Sequence, residues 1–126
     1  MLTMINPAGY PVSPFYSQAV EAKAPRRMLF VSGQVGVDAT GYVGADIGEQ
    51  ARIAVANLNA VLAEAGMDKQ NLAKVTIYLT DESLLPDFMQ AAGESLPSPP
   101  PATTLLVVKA LAAPSLLIEI EAIAVA

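Results

Sequence analysis

The chain has no histidine, no cysteine and no tryptophan, and only 15% of its 126 residues are charged, where about 25% is usual. Each absence removes chemistry. Without histidine or cysteine there is no Ser-His-Asp triad, no thiolate nucleophile, no zinc site of the nitrogen and sulfur kind, no haem ligation, no iron-sulfur cluster and no disulfide. Carboxylates, hydroxyls, Lys, Arg and backbone amides are what remains for catalysis, and no metal or other cofactor is expected. Basic residues are scarce too: 7 Lys plus Arg against 12 Asp plus Glu give a formal charge of −5 and a pI near 4.5. A surface of that sign repels phosphate backbones, which argues against nucleic acid as a partner. Long hydrophobic runs are missing as well. No stretch reaches the roughly 18 apolar residues of a membrane span, and Met1 to Tyr10 lacks the basic start and apolar run of a secretory leader. The expectation is a soluble cytoplasmic protein with no membrane partner.

What the chain does have is grease: 53% of residues are hydrophobic and the mean hydropathy is +0.44. That is too apolar for disorder. A chain of this length makes one domain over residues 1–126, burying roughly two thirds of the surface its unfolded form exposes. The apolar excess beyond one core predicts self-association.

Periodicity orders the elements. Ser17 to Lys23 and Met28 to Ser32 read as strands joined by Ala24-Pro25-Arg26-Arg27, a hairpin-like connection. Gly33, Gly36, Gly41 and Gly44 then punctuate a loop with a small hairpin near Ala39-Thr40-Gly41. From Ile47 the apolar residues Ala51, Ala54, Val55, Leu58, Val61, Leu62 and Ala65 recur at helical spacing, and Gly66 ends the helix. Lys74 to Thr80 alternates as a strand with two usable faces. Ser83 to about Leu96 reads as a second helix with Ser83 at its N-cap and Pro86 in its first turn. After the stiff connector Ser98-Pro-Pro-Pro101 come two strong strands, Thr103 to Lys109 and Leu116 to Val125, joined by a turn over Ala110 to Ser115. The order is that of an α+β layered fold with the helices on one face of the sheet.

Four segments in this order carry a resemblance: Ser13-Pro-Phe-Tyr-Ser-Gln-Ala-Val20, Leu29-Phe-Val-Ser-Gly-Gln34, the helix from Gln50 to Gly66 with Asn57-Leu58 and Ala65-Gly66, and Ile118-Glu-Ile-Glu-Ala-Ile-Ala124. Together they resemble the Rid family, also called the YjgF family of reactive-intermediate deaminases. The resemblance implies a chorismate-mutase-like α+β fold with a mostly antiparallel six-stranded sheet and two helices on one face. It also implies a homotrimer around a central β-barrel, with small-molecule clefts at the subunit interfaces. It implies roles for particular residues: Glu119 as the carboxylate that orients the hydrolytic water, and Tyr16 and Gly33 in the substrate pocket.

One departure stands out. Where the typical deaminase of this family has an Arg after Pro-Ala to clamp the carboxylate of a 2-imino acid, this chain has Thr103, followed by Thr104. A guanidinium offers a charged planar fork; a hydroxyl offers one neutral hydrogen bond. Lys109 lies about 20 Å along the same strand, too far to substitute, and Arg26 and Arg27 could reach the cleft only from a neighbouring chain. The family's Asn after the second-helix Phe falls on Ala92, and the stretch from Phe88 to Thr103 is shorter than usual. Two readings stay open: a divergent hydrolase of an imine or enamine that uses Glu119, Tyr16, Gly33, Thr103 and Thr104, or a noncatalytic metabolite-binding trimer serving as sensor or scaffold. The family's endoribonuclease label is a third option, against which the acidity and the absence of histidine argue.

Overall fold

Asp46 starts the long helix: its side chain accepts the Glu49 amide at 2.8 Å, so α1 runs Ile47–Glu64. Gly66, at φ +70, turns the chain out of it. The computed structural model describes residues 1–126, the side chain of Glu94 excepted. Around α1 stand β1 (Leu2–Ile5), β2 (Ala19–Ala22), β3 (Met28–Val35), β4 (Leu72–Leu79), α2 (Leu85–Ala92), β5 (Ala102–Val107) and β6 (Ile118–Val125).

The strands form two sheets, β1-β2 and β3-β6-β4-β5, rather than the single six-stranded sheet expected. Pairing is antiparallel for β1-β2, β3-β6 and β6-β4 and parallel for β4-β5. The two sheets meet through an isolated parallel bridge between Ser17 and Ala102. The expected hairpin between Ser17–Lys23 and Met28–Ser32 is absent. β2 pairs instead with β1, a strand whose four residues carry too little alternation to stand out in the sequence. The connection fails as a hairpin because the Arg26 and Arg27 amides both donate to the Ala126 carbonyl, at 2.8 and 2.9 Å, which carries the chain onto the end of β6. The second helix also starts differently. Asp81, not Ser83, is the capping residue: its carboxylate accepts the Ser83 amide at 2.8 Å and opens a 3-10 turn, Glu82–Leu84, ahead of α2. Pro86 sits in the first turn of α2 as expected.

α1 and α2 pack on one face of the larger sheet, with α1 against β3 and β6. The core there gathers Ala51, Ala54, Leu58 and Leu62 of α1 with Val31, Ile118, Ile120, Ala122 and Ala124. Small side chains at 51 and 54 let the helix lie close to the strands. Buried Gln50 fastens the edge of this layer: its amide donates to the Gly44 and Ser115 carbonyls at 3.0 and 2.9 Å and accepts the Leu117 amide at 2.8 Å. Further along the helix, Asn57 donates to the carbonyls of Val35 and Val37 at 3.1 and 2.8 Å, which holds the end of β3.

The other face of the sheet has no helix over it. Alternation places Lys74, Thr76, Tyr78, Thr104, Leu106, Glu119 and Glu121 there, beside Phe30, which is 69% exposed. No helix of the described chain is long and apolar enough to cross a membrane.

Candidate functional site

The residues singled out from the sequence fall into two groups on opposite faces of the four-stranded sheet. Tyr16 and Thr103 lie on the helix side. Ser17 brings them together: its hydroxyl donates to the Pro100 carbonyl at 2.6 Å and its amide to the Pro101 carbonyl at 3.0 Å, and Ser17 is buried. That double link pins the Ser13–Gln18 segment alongside the start of β5. The result is a cavity of about 340 Å³ lined by Phe15, Tyr16, Phe88, Met89, Thr103 and Leu105, among others. Phe88 of α2 closes its base at 3% exposure, whereas Phe15 and Tyr16 stand exposed at its mouth. The Thr103 hydroxyl donates to the Pro101 carbonyl at 3.2 Å. Ser17 was not expected to matter; the signal was present in the Tyr-Ser-Gln segment, but its partner lies more than 80 residues away.

Glu119, Gly33 and Thr104 lie on the open face. β3 is bulged between Val31 and Gln34, and Gly33 sits in that bulge. A Cβ at Gly33 would overlap the Glu119 carboxylate and its Cγ, so the glycine exists to leave room for that side chain. Glu119 lies across from Val35 on one side and Tyr78 on the other. Thr104 accepts a hydrogen bond from the Lys74 ammonium at 2.6 Å. Next to this pair the Tyr78 hydroxyl donates to Glu121. That bond, with burial adding to it, raises the Tyr78 phenol above its ordinary value, because ionising it would set two negative oxygens together.

Within one chain the cations weighed as stand-ins for a clamp do not border the cavity. Arg27 donates to the Ala65 carbonyl at 2.8 Å and so serves the C-terminus of α1. β5 ends at Val107, so Lys109 lies beyond the strand. Ala92 is buried in the wall of the cavity and offers no polar group. Among the described residues no three carboxylates gather closely enough to hold a metal ion.

Chemically the open-face group offers a carboxylate able to hold a water and take its proton. The helix-side group offers an apolar receptacle with a phenol at its rim. Within one chain the sheet separates them.

Comparison with known proteins agrees with this architecture. The profile of the family described as endoribonuclease L-PSP matches residues 10–126. A RutC family protein of Aquifex aeolicus is 45% identical over 75 residues, covering 59% of this chain and 57% of that protein. Escherichia coli K12 TdcF, named for a proposed reactive intermediate deaminase activity, is 38% identical over 55 residues, or 43% of each chain. The crystal structure of the Rid family protein YyfB from Yersinia pestis superposes with a TM-score of 0.86 at 35% identity, covering 99% of this chain and 98% of that one. The match of the family profile to residues 10–126 and the shared fold lead to one assignment: this chain belongs to the endoribonuclease L-PSP family, the Rid or YjgF family of its structural neighbours.

Proposed function

We propose that the protein is a cytoplasmic homotrimer that hydrolyses a small reactive imine or enamine at clefts between subunits. The observation that carries this reading is the Gly33 and Glu119 pair, in which a side chain is omitted from β3 where a carboxylate needs space on an otherwise open sheet face. A second copy laid on that face would bring its own Tyr16 and Thr103 side toward Glu119, joining two half-sites that one chain keeps apart. The bare face, with Phe30 and Leu106 exposed, favours such a neighbour over solvent. The number three follows from the family resemblance.

The chemistry asks for little. The carbon of a protonated imine is already electrophilic, so an iminium ion and one water give a carbonyl compound and an ammonium ion, with charge and atoms conserved. Water adds to carbon through a tetrahedral carbinolamine, and the carbon–nitrogen bond then breaks with the nitrogen leaving as ammonia. Glu119 takes the proton of the attacking water and returns it to the departing nitrogen. Tyr16 and Thr103 hold the substrate, while Thr104, tied to Lys74, shapes the cleft wall. With Thr103 in place of an Arg, substrates bearing a carboxylate lose their bidentate anchor, and the substrate range shifts away from 2-imino acids.

The test is semicarbazide competition over a panel of imines generated in situ, including 2-iminobutanoate and 2-iminopropanoate. Acceleration of at least one imine that disappears in Glu119→Gln is expected. Thr103→Arg should raise the rate on the two 2-imino acids. No acceleration of any imine at high protein concentration would sink the hydrolase and leave a noncatalytic metabolite-binding trimer, a sensor or scaffold, in its place.

A further inference from the structure

The helix-side cavity has a definite chemical character. Of the residues that border its roughly 340 Å³, only Tyr16 and Thr103 carry a side-chain oxygen or nitrogen, and none is charged. The Thr103 hydroxyl spends its proton on the Pro101 carbonyl, which leaves the Tyr16 phenol as the one side-chain donor available to a ligand. At about 30 Å³ for each water-sized body, the space holds roughly eleven such bodies, the bulk of a phenyl ring with a short side chain. Phe15, Phe88, Met89 and Leu105 offer it aromatic and thioether surface. An adjoining hollow of about 60 Å³ reaches Lys69, but that cation does not border the cavity itself.

We infer that this cavity is the binding site for apolar, aryl- or branched-alkyl-sized carbonyl and imine compounds that carry no carboxylate, with Tyr16 donating to the carbonyl oxygen or to the nitrogen of the neutral imine. The inference rests on the reading of this cleft as a ligand site and names what that site accepts. A carboxylate placed there would shed its water against hydrocarbon and meet no opposite charge among the residues of the chain that border the cavity, and the net charge of −5 already disfavours anions. A neutral ketone of the same shape loses only weakly held water and gains the apolar contacts.

A matched pair of probes isolates the carboxylate. Phenylacetone and phenylpyruvate share the benzyl ketone and differ in a methyl against a carboxylate. Calorimetric titration of the full chain in its native assembly is expected to show phenylacetone bound tighter than phenylpyruvate by about tenfold or more. Thr103→Arg should reverse that order, and Tyr16→Phe should weaken phenylacetone several-fold. Gly93 lines the cavity and has no atom within 4 Å of where its Cβ would stand, so Gly93→Phe adds bulk at the cavity without a clash at its Cβ and should abolish binding. Equal or tighter binding of phenylpyruvate, no binding of phenylacetone, or binding that survives Gly93→Phe would overturn the inference. The two readings fail separately. Phenylacetone binding with no imine hydrolysis supports this site and removes the reaction, while hydrolysis of 2-iminobutanoate without phenylacetone binding keeps the reaction and removes this ligand class.

Discussion

The two faces of the four-stranded sheet solve different problems with the same strands. On the helix side, alternate residues of β4 and β6 are Val75, Ile77, Ile118 and Ile120, all buried beneath α1 and α2. On the other side the intervening residues are Lys74, Thr76, Tyr78, Glu119 and Glu121, half-buried, with Lys74 bonded to Thr104 and Tyr78 to Glu121. The first face is finished by its own chain. The second is prepared for something else, since it mixes ordered charge with bare aromatic surface. Stability therefore belongs to one face, and the proposed function assigns chemistry and assembly to the other, except for the cavity by Tyr16, which is cut into the stable side.

That division can be broken by substitution. The largest effect on folding is expected from Leu62→Ala, which empties a fully buried position under the sheet. A loss of about 2–5 kcal/mol is expected in a denaturant titration, and a loss below about 1 kcal/mol would mean the core is not organised around α1. Phe30→Asp on the open face should leave the monomer folded by circular dichroism while reducing the sedimenting mass toward a single 13.1 kDa chain. A mass unchanged from the wild type would show that this face is not the interface. Gly33→Ala overlaps the Glu119 carboxylate and its Cγ and forces that side chain aside, while no backbone atom is among its nearest contacts. Imine hydrolysis should fall by about 10²-fold or more, as for loss of a general base, and retained activity would remove Glu119 from the mechanism.

Smaller effects probe the seams. Ser17→Ala removes one of the two hydrogen bonds that pin Tyr16 beside β5, a cost of about 1 kcal/mol, and should weaken ligand binding more than it lowers the melting temperature. The reverse ranking would make Ser17 purely structural. The finest test is the Tyr78 phenol. Because its folded value lies above the unfolded one, the stability it contributes is complete below the ordinary tyrosine range near 10 and is lost as pH rises through the raised value. In an ultraviolet titration Glu121→Gln should move one of the 4 tyrosines down toward that ordinary value. Unchanged curves would separate Tyr78 from Glu121.

Much of this was legible beforehand, and the misses share a cause. The alternation of Ile118 to Val125 already placed Glu119 and Glu121 on one face, and the stripe from Ile47 to Ala65 already set α1. Both are local periodicities. The hairpin expected between β2 and β3 failed because Arg26 and Arg27 bond to Ala126, at the far end of the chain. The cap expected at Ser83 moved to Asp81, where the carboxylate rather than the hydroxyl meets the amide. The candidate site residues Tyr16, Gly33, Thr103, Thr104 and Glu119 came from the resemblance, and their division between two faces was not legible in it. Ser17 went unnoticed for the same reason: its partners, Pro100 and Pro101, are distant in the chain.

The sequence by itself determined the available chemistry: no imidazole, no thiol, few basic side chains and a carboxylate on a strand. It also determined that more apolar surface exists than one core consumes. The tertiary structure alone decided which residues share a face and a cavity, because strand direction is local but strand pairing is not. The β3–β6 register and its bulge set Gly33 against Glu119, and the Ser17 links to Pro100 and Pro101 built the Tyr16 cavity. Those contacts join segments far apart in the chain, and no pattern within a helix turn or a strand pleat specifies them.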